Sequence, residues 1–296
     1  MRLIARALFR TVLREYPFYS GCGTVANAPV FKWATRGLVG PVDVRLRNGL
    51  KLRVDPTEFL GRSVYFTREW DPKISWAIER ILRAGDTFVD IGAHCGISSV
   101  IAAGVVGPKG CIHAFEPQPS MIEMLNQTVR INNFSNFRVH AVALSDNNGK
   151  ANLHVQLDKP ILASLSRREE HGTNIEVAVK QTGSFLRSLH IPPIRLIKID
   201  VEGHEVEVFN GSCGYFENEN RPDAILFESI SAEGPFYQRP IVRWLDNLGY
   251  KFLALPKLYV GMKAFRVKED ADHTWHDFVA VAPQCTTQIF EALNCK

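Results

Sequence analysis

The 296-residue sequence has no cysteine pair at CxxC spacing, no apolar run long enough to cross a membrane, no internal repeat and no low-complexity tract. Each absence removes a class of protein. The six cysteines, at 22, 95, 111, 213, 285 and 295, are spaced too irregularly for a zinc site or a disulfide framework, and they suit reduced thiols in a cytoplasmic protein. The stretch "GISSVIAAGVVG" falls well short of the ~20 residues a spanning helix needs. A strong charge of one sign is missing too. Thirty-five Lys and Arg face 31 Asp and Glu, and the basic residues are scattered rather than gathered into one long stripe, so the balance does not argue for nucleic acid and no nucleic-acid partner is expected. With 46% hydrophobic residues, the chain has enough apolar material to bury a full core without staples.

Arg2, Arg6, Arg10 and Arg14 recur four apart in "MRLIARALFRTVLREYPF", along one helical face, with Leu3, Ala7, Leu8 and Val12 on the neighbouring faces. The regular arginines leave no apolar h-region, so the segment is not read as a secretory signal. An amphipathic helix packed on the domain is the favoured reading; weak membrane-surface contact is the alternative.

Residues 41–54 alternate around Asn48-Gly49, a hairpin signal. Residues 72–84 read as a helix with Pro72 in its first turn. Nearly continuous apolar strands then alternate with helices: "TFVDIG", "CIHAFEP", "FRVHAVAL", "IRLIKIDV" and "DAILFES", with helices near 97–105, 119–132, 203–210 and 237–248. That rhythm predicts a doubly wound α/β sheet, mostly parallel and covered on both faces. "ANLHVQLD" and "NIEVAVKQT" read as an inserted strand pair, and "YKFLALP" with "WHDFVAVAP" as an antiparallel edge. The expected division is a cap over 1–71, the main domain over 72–284 and a tail over 285–296.

Ligands of open α/β sheets bind beyond the carboxyl ends of the strands. Each of the five predicted ends carries an acid: Asp90, Glu116, Asp146 beside Ser145, Asp200 with Glu202, and Glu228. Gly92 and Gly96 superficially resemble a dinucleotide fingerprint, but position 94, where a backbone must approach a pyrophosphate, is His94. A carboxylate about 4 Å from a phosphate would cost about 4 kcal/mol at an effective dielectric of 20. The acids suit a cation joined to a nucleoside instead, with Glu116 accepting from ribose hydroxyls and the glycines letting the backbone pass close beneath the ligand. S-adenosylmethionine has that chemistry.

The pieces "GDTFVDIGAHCGISS", "HAFEPQP", "VALSDNNG" and "LIKIDVEGHEVEVFNG", in that order, resemble the FkbM family of S-adenosylmethionine-dependent methyltransferases, within the Rossmann-like class I fold. The resemblance implies cofactor contacts from Asp90, Gly92, Ala93, His94, Gly96, Glu116, Ser145 and Asp146, and it places Asp200, Glu202 and Glu205 beside the transferred methyl group. In two places the chain departs from the family pattern. His94 stands where the family usually has asparagine, and "QTGSFL", with Gly183, stands where it usually reads "TLDSFL".

Asp200, Glu202 and His204 are metal-type donors but lack a distal fourth ligand, so no metal is expected. Tyr65 and Trp70 are read either as a lid over the cofactor or as a hydrophobic junction, with the junction favoured. The expected reaction is O-methylation of a small-molecule or glycan acceptor, with nitrogen as acceptor left open. Arg167, Arg168 and Lys180 are candidates for holding an anionic acceptor, beside the commoner reading of a solvated surface. The rivals are an NAD-dependent oxidoreductase and a non-catalytic protein that retains the fold. Oligomeric state is not legible.

Overall fold

The helix–hairpin opening and the strand–helix alternation both form in the computed structural model, which describes residues 1–14, 16–155, 164–165, 172–217, 220–230, 233–268 and 275–295. The chain opens with α1 (Arg2–Leu13), α2 (Cys22–Ala26) and α3 (Pro29–Thr35), then the hairpin β1 (Val42–Arg45) and β2 (Lys51–Val54), then α4 (Phe59–Thr67) and α5 (Pro72–Ile81). In the hairpin, Val42 pairs with Val54, and the alternation turns Val44, Leu52 and Val54 into the core. Helix α5 starts where the sequence predicts, because Asp71 accepts from the Lys73 amide at 3.2 Å and Pro72 fills the first turn.

The main sheet takes β3 (Thr87–Ile91), β4 (Cys111–Phe115) and β5 (Phe137–His140), crossing over through α6 (Ile97–Val106) and α7 (Pro119–Ile131). A smaller sheet follows, made of β6 (Ala143–Ser145), β7 (Gly149–Val155) and β8 (Thr173–Gln181). The chain then runs through α8 (Thr182–Ser188), β9 (Ile194–Ile199), α9 (Glu205–Gly211), β10 (Ala224–Glu228), α10 (Pro240–Asn247), β11 (Lys251–Ala254), β12 (Phe265–Arg266), β13 (Asp277–Val281) and α11 (Thr286–Ala292). The strand order is β12-β11-β13-β10-β9-β3-β4-β5. From β10 to β5 the pairing is parallel, while β13 runs antiparallel to both β10 and β11.

Alternate residues of the buried strands feed two cores. Phe88, Ile112, Leu196 and Leu226 face one, with α5 and α6; Val89, Phe115, Ile197 and Phe227 face the other, with α9 and α10. The fold is the expected doubly wound, Rossmann-like sheet with an antiparallel edge.

One predicted strand is two. "FRVHAVAL" leaves the main sheet after His140, and Ala143–Ser145 pairs parallel with β8 of the insert. Apolar content alone does not record the break, since both halves are buried against different partners. The insert forms as expected, with β7 antiparallel to β8. Arg167 and Arg168 lie outside the described residues, and Lys180 is exposed on β8. Gly183 is buried in α8, where a Cβ would stand 3.1 Å from the Gly211 carbonyl and 3.3 Å from the Tyr215 side chain, so helix packing accounts for it. Among the described residues no helix is long and apolar enough to cross a membrane.

Candidate functional site

Strand order reverses between β3 and β9, and a cavity of about 320 Å³ opens there, beyond the strands' carboxyl ends. Two strand-to-helix turns form its floor. The first, from Gly92 to Gly96, passes three times through positive φ, at Gly92 (80°), His94 (52°) and Gly96 (90°). A Cβ on Gly92 would stand 1.9 Å from the Asp200 carbonyl oxygen, and one on Gly96 2.4 Å from Leu125 Cδ2. The close approach these glycines allow is therefore taken up by the chain itself, turn against turn and turn against α7, and not by open space for a ligand.

Glu116, at the end of β4, is fastened to that turn. Its Oε2 accepts from the His94 amide and its Oε1 from the Gln118 amide, both at 2.8 Å. Burial pushes its carboxyl up to about 7, opposed by the two amide bonds. Burial also pulls the His94 imidazole down to about 4, so the ring is neutral near pH 7. Both ring nitrogens of His94 and the Oε1 of Gln118 are buried without a hydrogen-bond partner, and both residues line the cavity. Unpaired buried polar atoms cost about 1–3 kcal/mol each, so their concentration at one wall marks where a polar ligand fits.

Asp90 lies one layer lower. It is fully buried and outside the cavity lining; its Oδ2 accepts from Ser99 Oγ at 2.7 Å and its Oδ1 stands 3.7 Å from Lys198 Nζ. Burial raises its carboxyl above the usual range, with Lys198 and Ser99 acting the other way. Lys198 reaches on to Asp200 Oδ2 at 3.1 Å. Burial alone would lower the lysine, but Asp200 and Asp90 outweigh it and hold it above the ordinary lysine value. The strand ends are thus not uniformly negative, because a cation sits between the acids of two of the five ends. Lys198 and Asp200 are two apart in "IKID" and so share a face of β9. A lysine on the inward run of a buried parallel strand must be paired, and that was the signal available in the sequence.

Gly92, Ala93, His94, Glu116, Asp200 and Glu202 converge on the cavity; Asp90, Gly96, Ser145, Asp146 and Glu205 do not line it. Glu205 Oε1 accepts from the Val201 and Gly203 amides, both at 3.1 Å, and so ties the β9–α9 turn. Ser145 Oγ contacts His204 Nε2 at 3.0 Å and donates to Asp146 Oδ1 at 3.1 Å, joining the insert to the same turn. Asp200, Glu202 and Glu228 stand at the mouth, with His276 Nδ1 4.0 Å from Glu228 Oε1. Burial, then Asp200, Asp277, Glu202 and Glu205, push Glu228 up to about 7.

The N-terminal segment closes the remaining side with Glu69, Trp70, Asp71, Lys73 and Ser75. Of the two aromatics, Trp70 lines the cavity, edge-on to Phe59. Tyr65 lies elsewhere, beneath the guanidinium of Arg10. Lys73 is buried between Asp71 and Asp277, 3.1 Å from the latter. Among the described residues no group of three or more His, Cys, Asp or Glu side chains is placed to hold a metal ion.

The model of the Methyltransferase FkbM domain matches residues 90–252. No curated protein matches. Among solved structures, a methyltransferase FkbM from Methylobacillus flagellatus KT is 15% identical over 75% of this chain and 53% of its own, with a TM-score of 0.39. Precorrin-6y C5,15-methyltransferase from Geobacter metallireducens GS-15 is 12% identical over 72% of this chain and 89% of its own, with a TM-score of 0.42. M. jannaschii TYW2, in complex with AdoMet, is 14% identical over 83% and 86%, with a TM-score of 0.44. Likenesses of this order say nothing of substrate; the family match is what bears on identity.

Proposed function

The chain belongs to the FkbM methyltransferase family, and we propose that it transfers a methyl group from S-adenosylmethionine to a hydroxyl on a sugar, glycan or small-molecule natural product. When bound, that cofactor supplies an electrophilic methyl group on a sulfonium. The observation that carries the reading is the setting of Glu116. Each of its oxygens is held by one backbone amide, which leaves both with acceptor capacity for the adjacent hydroxyls of a ribose. The unpartnered Gln118 Oε1 and the neutral His94 ring suit the polar edges of a nucleoside. A diphosphate is badly served here. His94 replaces the glycine it would need, and Asp200 and Glu202 face the same space.

Asp200, Glu202, Glu228 and the ring of Trp70 line the acceptor side. A sugar offers hydroxyls to carboxylates and an apolar face to an aromatic ring, so this lining favours a polyol. Asp200, fixed by Lys198, holds a hydroxyl in place. Glu228, poised near neutrality, takes the proton that the hydroxyl loses. Glu205 acts on the turn that presents Asp200 and Glu202. The test is incubation with methyl-labelled S-adenosylmethionine and a panel of free sugars, glycans and fractionated extract. The expected product is a labelled methyl ether. Label found only on nitrogen would overturn the hydroxyl assignment, and NAD(H) binding in place of the sulfonium would overturn the whole reading.

A further inference from the structure

Among the described residues, nine of the twelve large hydrophobic side chains left exposed lie within the first 59: Met1, Leu3, Ile4, Leu8, Val12, Phe18, Val30, Val39 and Phe59. Charge is divided in the same way. Residues 1–54 hold ten Lys and Arg against two acids, a net +8, whereas the whole chain is +4, so the remainder is −4. The even scatter of basic residues that a linear reading suggests therefore hides a cationic, apolar cap on an acidic body.

Helix α1 organises both features in rows four residues apart. Ala5, Phe9 and Leu13 form the half-buried row, with Phe9 packed edge-on against Phe31 at 4.8 Å and against Phe66 at 6.3 Å. The row Arg2, Arg6, Arg10 and Arg14 lies alongside. The Arg2 guanidinium sits over Trp33 and that of Arg10 over Tyr65, 4.6 Å from the ring centroid. Ile4, Leu8 and Val12 form the row that faces away from the domain, and with Met1 they stand 58–92% exposed. No acid occurs in α1, and Lys32 on α3, which packs against α1, and Arg36 just past the end of α3 are exposed.

We propose that α1 docks this protein in the plane of an anionic lipid bilayer, with the Ile4–Leu8–Val12 crest entering the acyl boundary and the arginine row, on the opposite side of the helix, reaching the headgroup phosphates from above. Phe9 and Leu13 hold the helix to the domain, so the crest stays outward and the helix inserts as part of the folded protein. An exposed aliphatic crest on one side of the helix, with cations on flexible stems along the opposite side, matches the interfacial helix in amphipathic pattern and charge. The crest carries no aromatic ring on which a base could stack, which sets it apart from a single-stranded nucleic-acid surface.

The test is co-sedimentation of the full chain with vesicles of phosphatidylcholine alone and of phosphatidylcholine with phosphatidylglycerol in equal parts. The expected result is binding to the anionic vesicles, weakened by salt, and weakened at least about tenfold in the double variant Ile4→Glu, Leu8→Glu. The double variant Arg2→Ala, Arg10→Ala is expected to lose about fivefold per arginine. Unchanged thermal midpoints and unchanged S-adenosylmethionine binding in both variants keep the result separate from folding and from the site. Failure to bind anionic vesicles, or binding indifferent to Ile4 and Leu8, overturns the proposal. Tighter, salt-sensitive binding to polyuridylate that survives the Ile4→Glu, Leu8→Glu change also overturns it and assigns the surface to nucleic acid.

Discussion

After β3 the chain turns into α6 through Gly92–Gly96; after β9 it turns into α9 through Asp200–His204. The two turns press against each other at Gly92 and the Asp200 carbonyl, yet they are built oppositely. The first leaves the ring nitrogens of His94 buried and unpartnered. In the second, Asp200 meets Lys198, His204 meets Ser145 and Glu207, and Glu205 reaches back to two amides. A wall with unmet hydrogen-bonding capacity is shaped for neutral polar groups of a ligand, whereas a network paired mostly within itself holds its carboxylates in place. In the proposed function, binding and proton handling are thereby divided between adjacent strand ends.

The comparison breaks most severely at Lys198. Lys198→Met leaves Asp90 buried without its cation, and a loss of about 3–5 kcal/mol is expected. Asp90 then keeps its proton to higher pH when folded than when unfolded, so the loss is expected to grow as pH rises; denaturant midpoints at pH 5 and pH 8 check this. Gly92→Ala places a methyl against the Asp200 carbonyl at positive φ and is expected to cost roughly 2–4 kcal/mol, with cofactor binding lost as the two turns separate. A variant as stable as the parent would show that the turns do not depend on each other.

Asp200→Asn and Glu228→Gln sharpen the division. Turnover is expected to fall about 10²-fold with little change in cofactor affinity. A proton acceptor must be ionised, so the parent rate rises as pH rises through about 7, and Glu228→Gln abolishes that limb. Equal losses of binding and turnover would merge the two roles. The smallest effect is at Glu69, whose Oε1 takes both of its hydrogen bonds, from the Trp70 amide and Ser75 Oγ, so glutamine preserves them. Burial raises Glu69 from 4.5 to about 7, so the folded state retains a proton that the unfolded state has lost, and stability falls as pH rises across that window. Glu69→Gln is expected to gain on the order of 1 kcal/mol at pH 8, with the gain shrinking towards pH 4.5.

Much of this was legible in local pattern. "TFVDIGAHCG" announces a strand ending in a tight turn, and Glu116 follows at the end of the next strand; both stand where the spacing puts them. What the sequence hid depends on partners far along the chain. The break after His140 arises because β6 pairs with β8, more than thirty residues away. Glu69, Trp70 and Asp71 belong to the segment that reads as a cap, with Trp70 favoured as a hydrophobic junction, yet together with Lys73 and Ser75 of α5 they line the cavity. Asp90 is indistinguishable by pattern from the acids beside it, and only Lys198 and Ser99, closing over it, decide that it supports the floor.

The central claim is that Glu116 and the His94 wall form the cofactor seat. Calorimetric titration of S-adenosylmethionine into the parent and into Glu116→Ala tests it most directly. Micromolar binding is expected in the parent and an affinity about 10²-fold weaker in the variant, in line with the loss of two charged hydrogen bonds. Equal affinity in the two proteins would contradict it.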